Sequence, residues 1–380
     1  MRRGSRTSVG VEDALVTLPV YLDYNATTPL DERVLEAMRP SLTQHFGNPA
    51  SHTHTFGWAA AKLVSLARER LAAGLGARPE EMVFTSGATE ANNLAIKGAA
   101  GGAPARRRHV VTVATEHKAV LDPCRRLARE GFALTVLPVD RHGQVRAEQV
   151  AEALTPDTLL VSVMLANNET GVLQPVPAIA AACRERGVLL HTDATQAVGK
   201  IPVDVGALGV DLLSCSAHKI YGPKGVGALF VRREVRRDLA PLLDGGGHEL
   251  GLRSGTLNVP GIVGFARALE LCLETMPEKA ERLARLRDRL RDLLLADLPG
   301  IEENGHPQDR LPNTLNLSFP GVDGGALLAG LREVAVASGS ACTSADPSPS
   351  HVLLAMGRSK RLANASLRFS LGRPTTEAEV

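Results

Sequence analysis

The sequence predicts an α/β protein with a mainly parallel sheet covered by helices on both faces. Short apolar runs alternate with longer amphipathic stretches from about Val83 to Phe230. The runs are almost unbroken rather than apolar at every second residue, as strands buried on both faces must be. The length of 380 residues exceeds one average domain and calls for a large unit and a smaller one.

In chain order, buried strands are expected at Val110–Val113, Leu134–Leu137, Leu159–Val163, Val188–His191 and Asp211–Ser214. Helices are expected at Val120–Glu130 and Pro177–Arg186, and Phe84–Glu90 leads from a strand into a helix over Ala91–Lys97. The glycine run from Gly245 to Gly247 and the segment Arg253–Thr256 read as a loop closing the large unit. A long charged helix follows from about Met276 to Leu295, then strands at Thr314–Ser318 and Ser366–Ser370 in a smaller α/β unit. The expected division is an extension over 1–19, a large domain over 20–271 and a small domain over 272–380. Met1–Ser8 has the Arg- and Ser-rich composition of a transit peptide without the apolar core of a secretory signal, and reads as a loose tail.

Hydrophobic residues make up 44% and charged ones 22%, ordinary for a soluble globular chain. A net charge of +2 gives no reason to expect nucleic acid or an anionic membrane as partner. No apolar run approaches the ~20 residues of a membrane span. Five cysteines without CxxC pairs argue against a disulfide framework or a zinc ribbon, and point to a reducing, cytoplasmic setting.

Ligands of such sheets sit beyond the carboxyl ends of the strands. That rule places His117, Asn168, Asp193 and Lys219 on one rim. Lys219 closes an apolar stretch and runs into Tyr221-Gly222-Pro223-Lys224-Gly225, where an amine can hold an aldehyde cofactor as a Schiff base. Pyridoxal phosphate (PLP) also needs a carboxylate for its ring nitrogen, a phosphate cradle and a platform over its ring. Asp193 is the candidate carboxylate; by itself it would equally cap a helix starting near Ala194. Thr85–Glu90 is the candidate cradle, since free N–H groups at a helix start bind phosphate, although Ser86 or Thr89 could form an ordinary capping box. Ser216 and His218 offer further polar contacts to a phosphate. His117 could stack on the ring and shuttle protons, where a lone histidine is more often structural. Asn168 and Gln196 could hydrogen-bond the cofactor's phenolic oxygen or be plain turn residues.

Cys342 lies in small, polar, Pro-rich surroundings that describe an exposed loop. Its thiol needs a proton acceptor to react at neutral pH, and His117 is a candidate. Cys183 and Cys272 lie on amphipathic helices and read as core. Arg368, in a late strand, could bind an amino-acid carboxylate bidentately; the alternative is a surface ion pair of little worth.

These motifs, from Tyr21–Pro29 to Leu371–Arg373, resemble the IscS/NifS-type cysteine desulfurases, of the class V aminotransferase-like family. The most specific are Thr85–Glu90, Thr115–Lys118, Asp193–Gln196, Ser216–Gly225, Arg253–Thr256 and Ser338–Ala345. The resemblance implies a fold-type I PLP-dependent transferase with a mainly parallel seven-stranded sheet. It implies that Lys219 carries PLP and moves the substrate proton, that Asp193 pairs with the pyridinium, and that His117 stacks on the ring. Asn168 and Gln196 would contact the phenolic oxygen. Ala88, Thr89, Ser216 and His218 would bind phosphate, with Thr256 from the second subunit of a homodimer. Arg368, with Asn168 beside it, would receive the carboxylate of L-cysteine. Cys342 would take its sulfur as a persulfide, leaving alanine, for an iron–sulfur scaffold protein or for tRNA thiolation. No resident metal is implied, and Cys342 is at most a transient iron–sulfur ligand.

Two departures stand out. Ala217 replaces a common glycine of the family, and the chain stops at Val380 where relatives continue, so the small domain is expected to lack its last helical segment. Other readings are a related PLP lyase or aminotransferase, against which Cys342 speaks, and a weakly active sulfur-transfer scaffold. A dinucleotide site at Gly222–Gly227 fails on its glycine spacing.

Overall fold

A computed structural model of the chain describes residues 18–104, 106–338 and 348–380. Its strands are β1 (Val20–Tyr21), β2 (Met82–Thr85), β3 (His109–Val113), β4 (Ala133–Leu137), β5 (Thr158–Ser162), β6 (Leu189–Asp193), β7 (Leu212–Ser216), β8 (Gly227–Val231), β9 (Glu302–Asn304), β10 (Thr314–Ser318), β11 (Val334–Ala335), β12 (Ala337–Ser338) and β13 (Ser366–Ser370). Seven of them form one sheet in the order β2-β8-β7-β6-β5-β3-β4. The pairings from β4 through β7 are parallel, and β8 runs antiparallel to both β7 and β2. Parallel neighbours need a helical crossover, whereas β7 returns into β8 through a short connection. That connection holds the 3-10 turn Ala217–Lys219. The sequence pattern singles out neither β8 nor its direction.

Alternation along each strand explains the unbroken apolar runs. Val111, Val161, Leu190 and Leu213 pack on one face with the helices Thr55–Ala73, Val176–Glu185 and Val259–Leu273. Val110, Leu160, Leu212 and Leu229 pack on the other with the helices Ala88–Gly102 and Lys118–Arg129. Both faces need carbon, so polarity cannot alternate.

The strands expected at Val188–His191 and Asp211–Ser214 lie one and two residues further on at their ends. Asp211 precedes β7 because its carboxylate accepts from Leu190 N at 2.8 Å. β6 continues through polar residues because they are stitched to neighbours. His191 meets Ser162 Oγ at 2.8 Å and Ser214 Oγ at 3.0 Å, linking β5, β6 and β7 inside the core. Asp193 is therefore the last residue of β6 rather than a residue beyond it. No helix starts at Ala194; a run of turns follows, and Asp193 Oδ1 accepts from Thr195 N at 2.9 Å.

A second sheet has the order β12-β13-β10-β9 and is antiparallel. Leu315, Leu317, Leu367 and Phe369 form its apolar face, on which the helix Met276–Asp297 sets Leu283, Leu286 and Leu290. The alternate residues Thr314, Asn316, Ser366, Arg368 and Ser370 are buried too. They face the N-terminal segment and the large sheet's loops: Asn25 Nδ2 donates to Thr314 Oγ1 at 2.9 Å, and Asn316 Nδ2 to Glu169 O at 3.2 Å. This polar face is what carries Arg368 toward the site. The N-terminal strand β1 pairs with β11, and Leu22 joins the small sheet's core, although both lie in the segment expected to open the large domain.

Leu213→Ala, in the fully buried middle of β7, is expected to cost about 2–5 kcal/mol in urea unfolding. Leu293→Ala, at a position 47% exposed, should stay within about 0.5 kcal/mol.

Candidate active site

A cleft of about 440 Å³ opens at the carboxyl ends of β3, β5, β6 and β7, between the large sheet and the polar face of the small one. Ala88, Thr89 and Ser216 line it, as do His117, Asn168, Asp193, Gln196, His218, Lys219 and Arg368. Thr256 is exposed and lies outside it. Cys342 lies outside the described residues.

The helix Ala88–Gly102 points its start into the cleft. Gly87 is its N-cap at φ 156° and ψ 177°, a conformation that side chains rarely adopt, and no side chain caps it. The alternative reading, an ordinary capping box, does not form. Instead Ser86 N donates to Glu90 Oε2 at 2.7 Å, and Arg253 pairs with Glu90 at 2.9 Å. The first amides of the helix are left for an anion. Facing them, His218 Nδ1 lies 3.1 Å from Thr27 Oγ1.

Asp193 is 6% exposed; Asn92 Nδ2 donates to its Oδ2 at 2.7 Å. With Thr195 N on Oδ1, the carboxylate is held in one orientation. His117 caps the helix Lys118–Arg129, its Nδ1 accepting from Ala119 N at 3.1 Å. A neutral ring then carries its proton on Nε2. Arg368 is not a surface pair: it is 2% exposed, donating to Asp23 Oδ1 at 2.6 Å and to Asn168 O at 2.9 Å. Its Nε and the buried Asn168 Oδ1 have no hydrogen-bond partner among the described residues, as expected of a site shaped for a polar ligand.

Sequence reasoning missed Asn25. Its backbone oxygen accepts from Lys219 Nζ at 2.6 Å and Gln196 Nε2 at 2.9 Å, and its Oδ1 accepts from Lys200 Nζ at 3.0 Å. Lys219 Nζ also donates to Ala26 O at 2.6 Å. Asn25 stands inside the motif Tyr21–Pro29, but an asparagine followed by threonines carries no sign of a lysine partner 194 residues away. Glu116, Glu169 and Lys200 escape notice for the same reason.

The backbone next to Lys219 is strained. Tyr221 sits at φ 66°, held by Thr28 Oγ1 on its N–H at 2.8 Å and by Arg373 N on its hydroxyl at 2.6 Å. Ala217 is fully buried, and a Cβ on Gly222 would come 2.9 Å from its methyl, so Gly222 makes room for this departure from the family pattern.

Charge in the site follows burial. Desolvation, with Lys219, Lys224 and Lys200 nearby, lowers His218 to about 4, so it is neutral at pH 7. Burial raises Glu116 well above the carboxylate range, with Asp193 adding to the shift. Burial raises Glu169 to about 7 against the pull of Ser350, Arg368, His117 and Lys118. The thiols of Cys124, Cys183 and Cys215 are pushed by burial to about 12, and that of Cys272 is raised. All four are buried, which makes them inert as nucleophiles.

Glu169 makes the stability of the fold depend on pH. Between about 4.5 and about 7 the folded chain keeps a proton that the unfolded chain has released, so this group removes stability as pH rises through that window. Glu169→Gln abolishes that loss. Its stability relative to the parent should rise by up to about 3 kcal/mol between about pH 5 and about pH 7.5, read by urea unfolding at both pH values.

The chain matches the family described as aminotransferase class-V over residues 20–380. It is 55% identical over 363 residues to "Cysteine desulfurase IscS" of Anaeromyxobacter dehalogenans (strain 2CP-C), covering 96% of this chain and 90% of the relative. It is 54% identical over 368 residues to the protein of that name from Neisseria meningitidis serogroup C / serotype 2a (strain ATCC 700532 / DSM 15464 / FAM18), with the same coverage. Among solved structures, a "NifS-like protein" superposes with a TM-score of 0.88 at 42% identity, covering 95% of this chain and 96% of that one. "SspA in complex with cysteine" superposes with a TM-score of 0.84 at 39% identity, covering 93% and 98%. With the lysine, carboxylate and uncapped helix start gathered in one cleft, the chain belongs to the aminotransferase class-V family, among its IscS/NifS-type cysteine desulfurases.

Proposed function

We propose that the chain is a PLP-dependent cysteine desulfurase that converts L-cysteine to L-alanine and leaves the sulfur on Cys342 as a persulfide. The observation that carries this reading is the single cleft that Lys219, Asp193, His117, Arg368 and the start of the helix Ala88–Gly102 share. When bound, PLP supplies a carbonyl that joins an amine and a ring that withdraws electrons. The uncapped amides at Ala88 and Thr89, with Ser216 and neutral His218, suit its phosphate. Asp193 suits the ring nitrogen, His117 its face, and Gln196 and Asn168 its phenolic oxygen.

Arg368 receives the substrate carboxylate with the N–H groups left over from Asp23 and Asn168 O. Lys219 Nζ takes and returns the proton at the substrate's α-carbon. The sulfur of Cys342 then attacks the substrate sulfur; an S–S bond forms as the C–S bond breaks, and the carbon gains protons to become alanine. His117 Nε2 would take the thiol proton. Four buried thiols of raised pKa leave Cys342 as the carrier by chemistry. The persulfide would pass to an iron–sulfur scaffold protein or another acceptor.

A homodimer fits the surface. Leu42, Phe46, Phe56 and Trp58 are each more than half exposed, and the rings of Phe46 and Phe56 meet at 5.5 Å between centroids. An apolar patch of this kind calls for a cover. A second subunit would also bring the exposed Thr256 to its neighbour's phosphate. No described helix is long and apolar enough to cross a membrane, and a cytoplasmic setting suits a free persulfide.

Purified parent and Cys342→Ala are compared with PLP and L-cysteine. Both should show the visible band of bound cofactor, while only the parent releases alanine and sulfide; equal turnover would make a general PLP lyase the better reading. Lys219→Ala should lose turnover by at least about 10³-fold, since Lys219 both carries the cofactor and moves the proton in this reading. Phe46→Glu with Trp58→Glu should sediment as a monomer and bind PLP more weakly.

A further inference from the structure

Lys200 is a second lysine beside Lys219 to which the desulfurase reading assigns no task. It closes the run of turns after β6 and does not line the cleft; with Tyr221 and Cys272 it lines a separate small cavity of about 40 Å³ on the other side of Lys219. Its Nζ donates to Gln196 Oε1 at 2.6 Å and to Asn25 Oδ1 at 3.0 Å.

Both partners are side-chain amides, whose oxygen and nitrogen ends are nearly equal in shape and opposite in hydrogen bonding. A donor placed against one end decides the direction of the whole group. With Lys200 on its oxygen, Gln196 turns its N–H₂ to Asn25 O at 2.9 Å. With Lys200, and Asn313 Nδ2 at 3.2 Å, on its oxygen, Asn25 turns its N–H₂ to Thr314 Oγ1 at 2.9 Å and Asn168 O at 3.3 Å. Asn25 O is also the acceptor of Lys219 Nζ at 2.6 Å. Burial, then Lys219 and Arg368, lowers Lys200 well below the usual lysine range.

We propose that Lys200 is a positioning residue that sets the direction of the Gln196 and Asn25 side-chain amides, and so presents the donor end of Gln196 to the cofactor oxygen and to the Asn25 backbone carbonyl that also accepts from Lys219. The proposal rests on the PLP-dependent reading above and adds a residue that touches neither cofactor nor substrate.

The test is a double-mutant cycle on Lys200→Met and Gln196→Ala, read by the dissociation constant of PLP from apoprotein and by the position of the bound cofactor's visible band. Lys200→Met should weaken PLP binding about ten-fold and shift the band, the loss of one buried hydrogen bond. The double variant should lose less than the sum of the two single losses, because Lys200 acts in part through that amide. Lys200→Gln, which keeps N–H donors on a shorter stem, should lose less than Lys200→Met; if Lys200→Met is insoluble, Lys200→Gln takes its place in the cycle. Thermal unfolding of the apoproteins should move by less than their PLP affinities. Parent-like binding and band in Lys200→Met, or additive losses in the double variant, would overturn the role of Lys200 while leaving the PLP reading intact. A parent protein that binds no PLP would overturn both.

Discussion

The site depends on one asparagine. Asn25 belongs to the N-terminal segment that pairs with the small sheet, its N–H donating to Ser370 Oγ at 2.9 Å. Its carbonyl and side chain reach the large sheet's loops through Lys219, Gln196 and Lys200. A single buried residue thus ties the edge of one sheet to the lysine that follows a strand of the other. Buried polar networks carry weight only when their members are satisfied, since an orphaned amide in low dielectric costs more than its hydrogen bond contributes. Every polar atom of the Asn25 side chain has a partner, which holds the cleft's two walls at one spacing.

Burial also separates reactive from inert groups. Burial, with neighbouring lysines, lowers His218 and Lys200 and so favours their neutral forms. On the thiols the same desolvation acts against reaction. Cys215, inside β7 only four residues before Lys219, is protonated and packed, and its proximity in sequence to the site confers no reactivity.

The direction of β8 places the lysine. Because β8 returns antiparallel beside β7, no crossover helix covers the end of β7, and the 3-10 turn Ala217–Lys219 projects into the cleft. Strained Tyr221 and the methyl of Ala217 are accommodated in that return by Thr28, Arg373 and Gly222. The lysine is placed by backbone geometry first and by side-chain contacts second.

Much was legible in the chain itself. Unbroken apolar runs mark strands buried on both faces, so the α/β class and the strands from β3 to β7 could be read. β10 and β13 were legible to the residue, since their apolar alternation is short and flanked by polar residues. Lys219, Asp193, His117 and the glycine before the helix at Ala88 were readable as cleft residues because each has a residue type suited to one chemical task at or just after the end of a strand. The ends of β6 and β7, the direction of β8, the absence of a helix after Asp193 and the role of Asn25 were not. Each is decided by a partner distant in sequence: Ser162 and Ser214 for His191, β2 for β8, and Lys200 and Lys219 for Asn25. The sequence by itself determined which local segments are strands and which side chains could do chemistry, because those follow from neighbours along the chain. Only the tertiary structure decided which polar groups share a dry cleft and which way their amides point, because hydrogen bonds across the fold, not local propensity, set those directions.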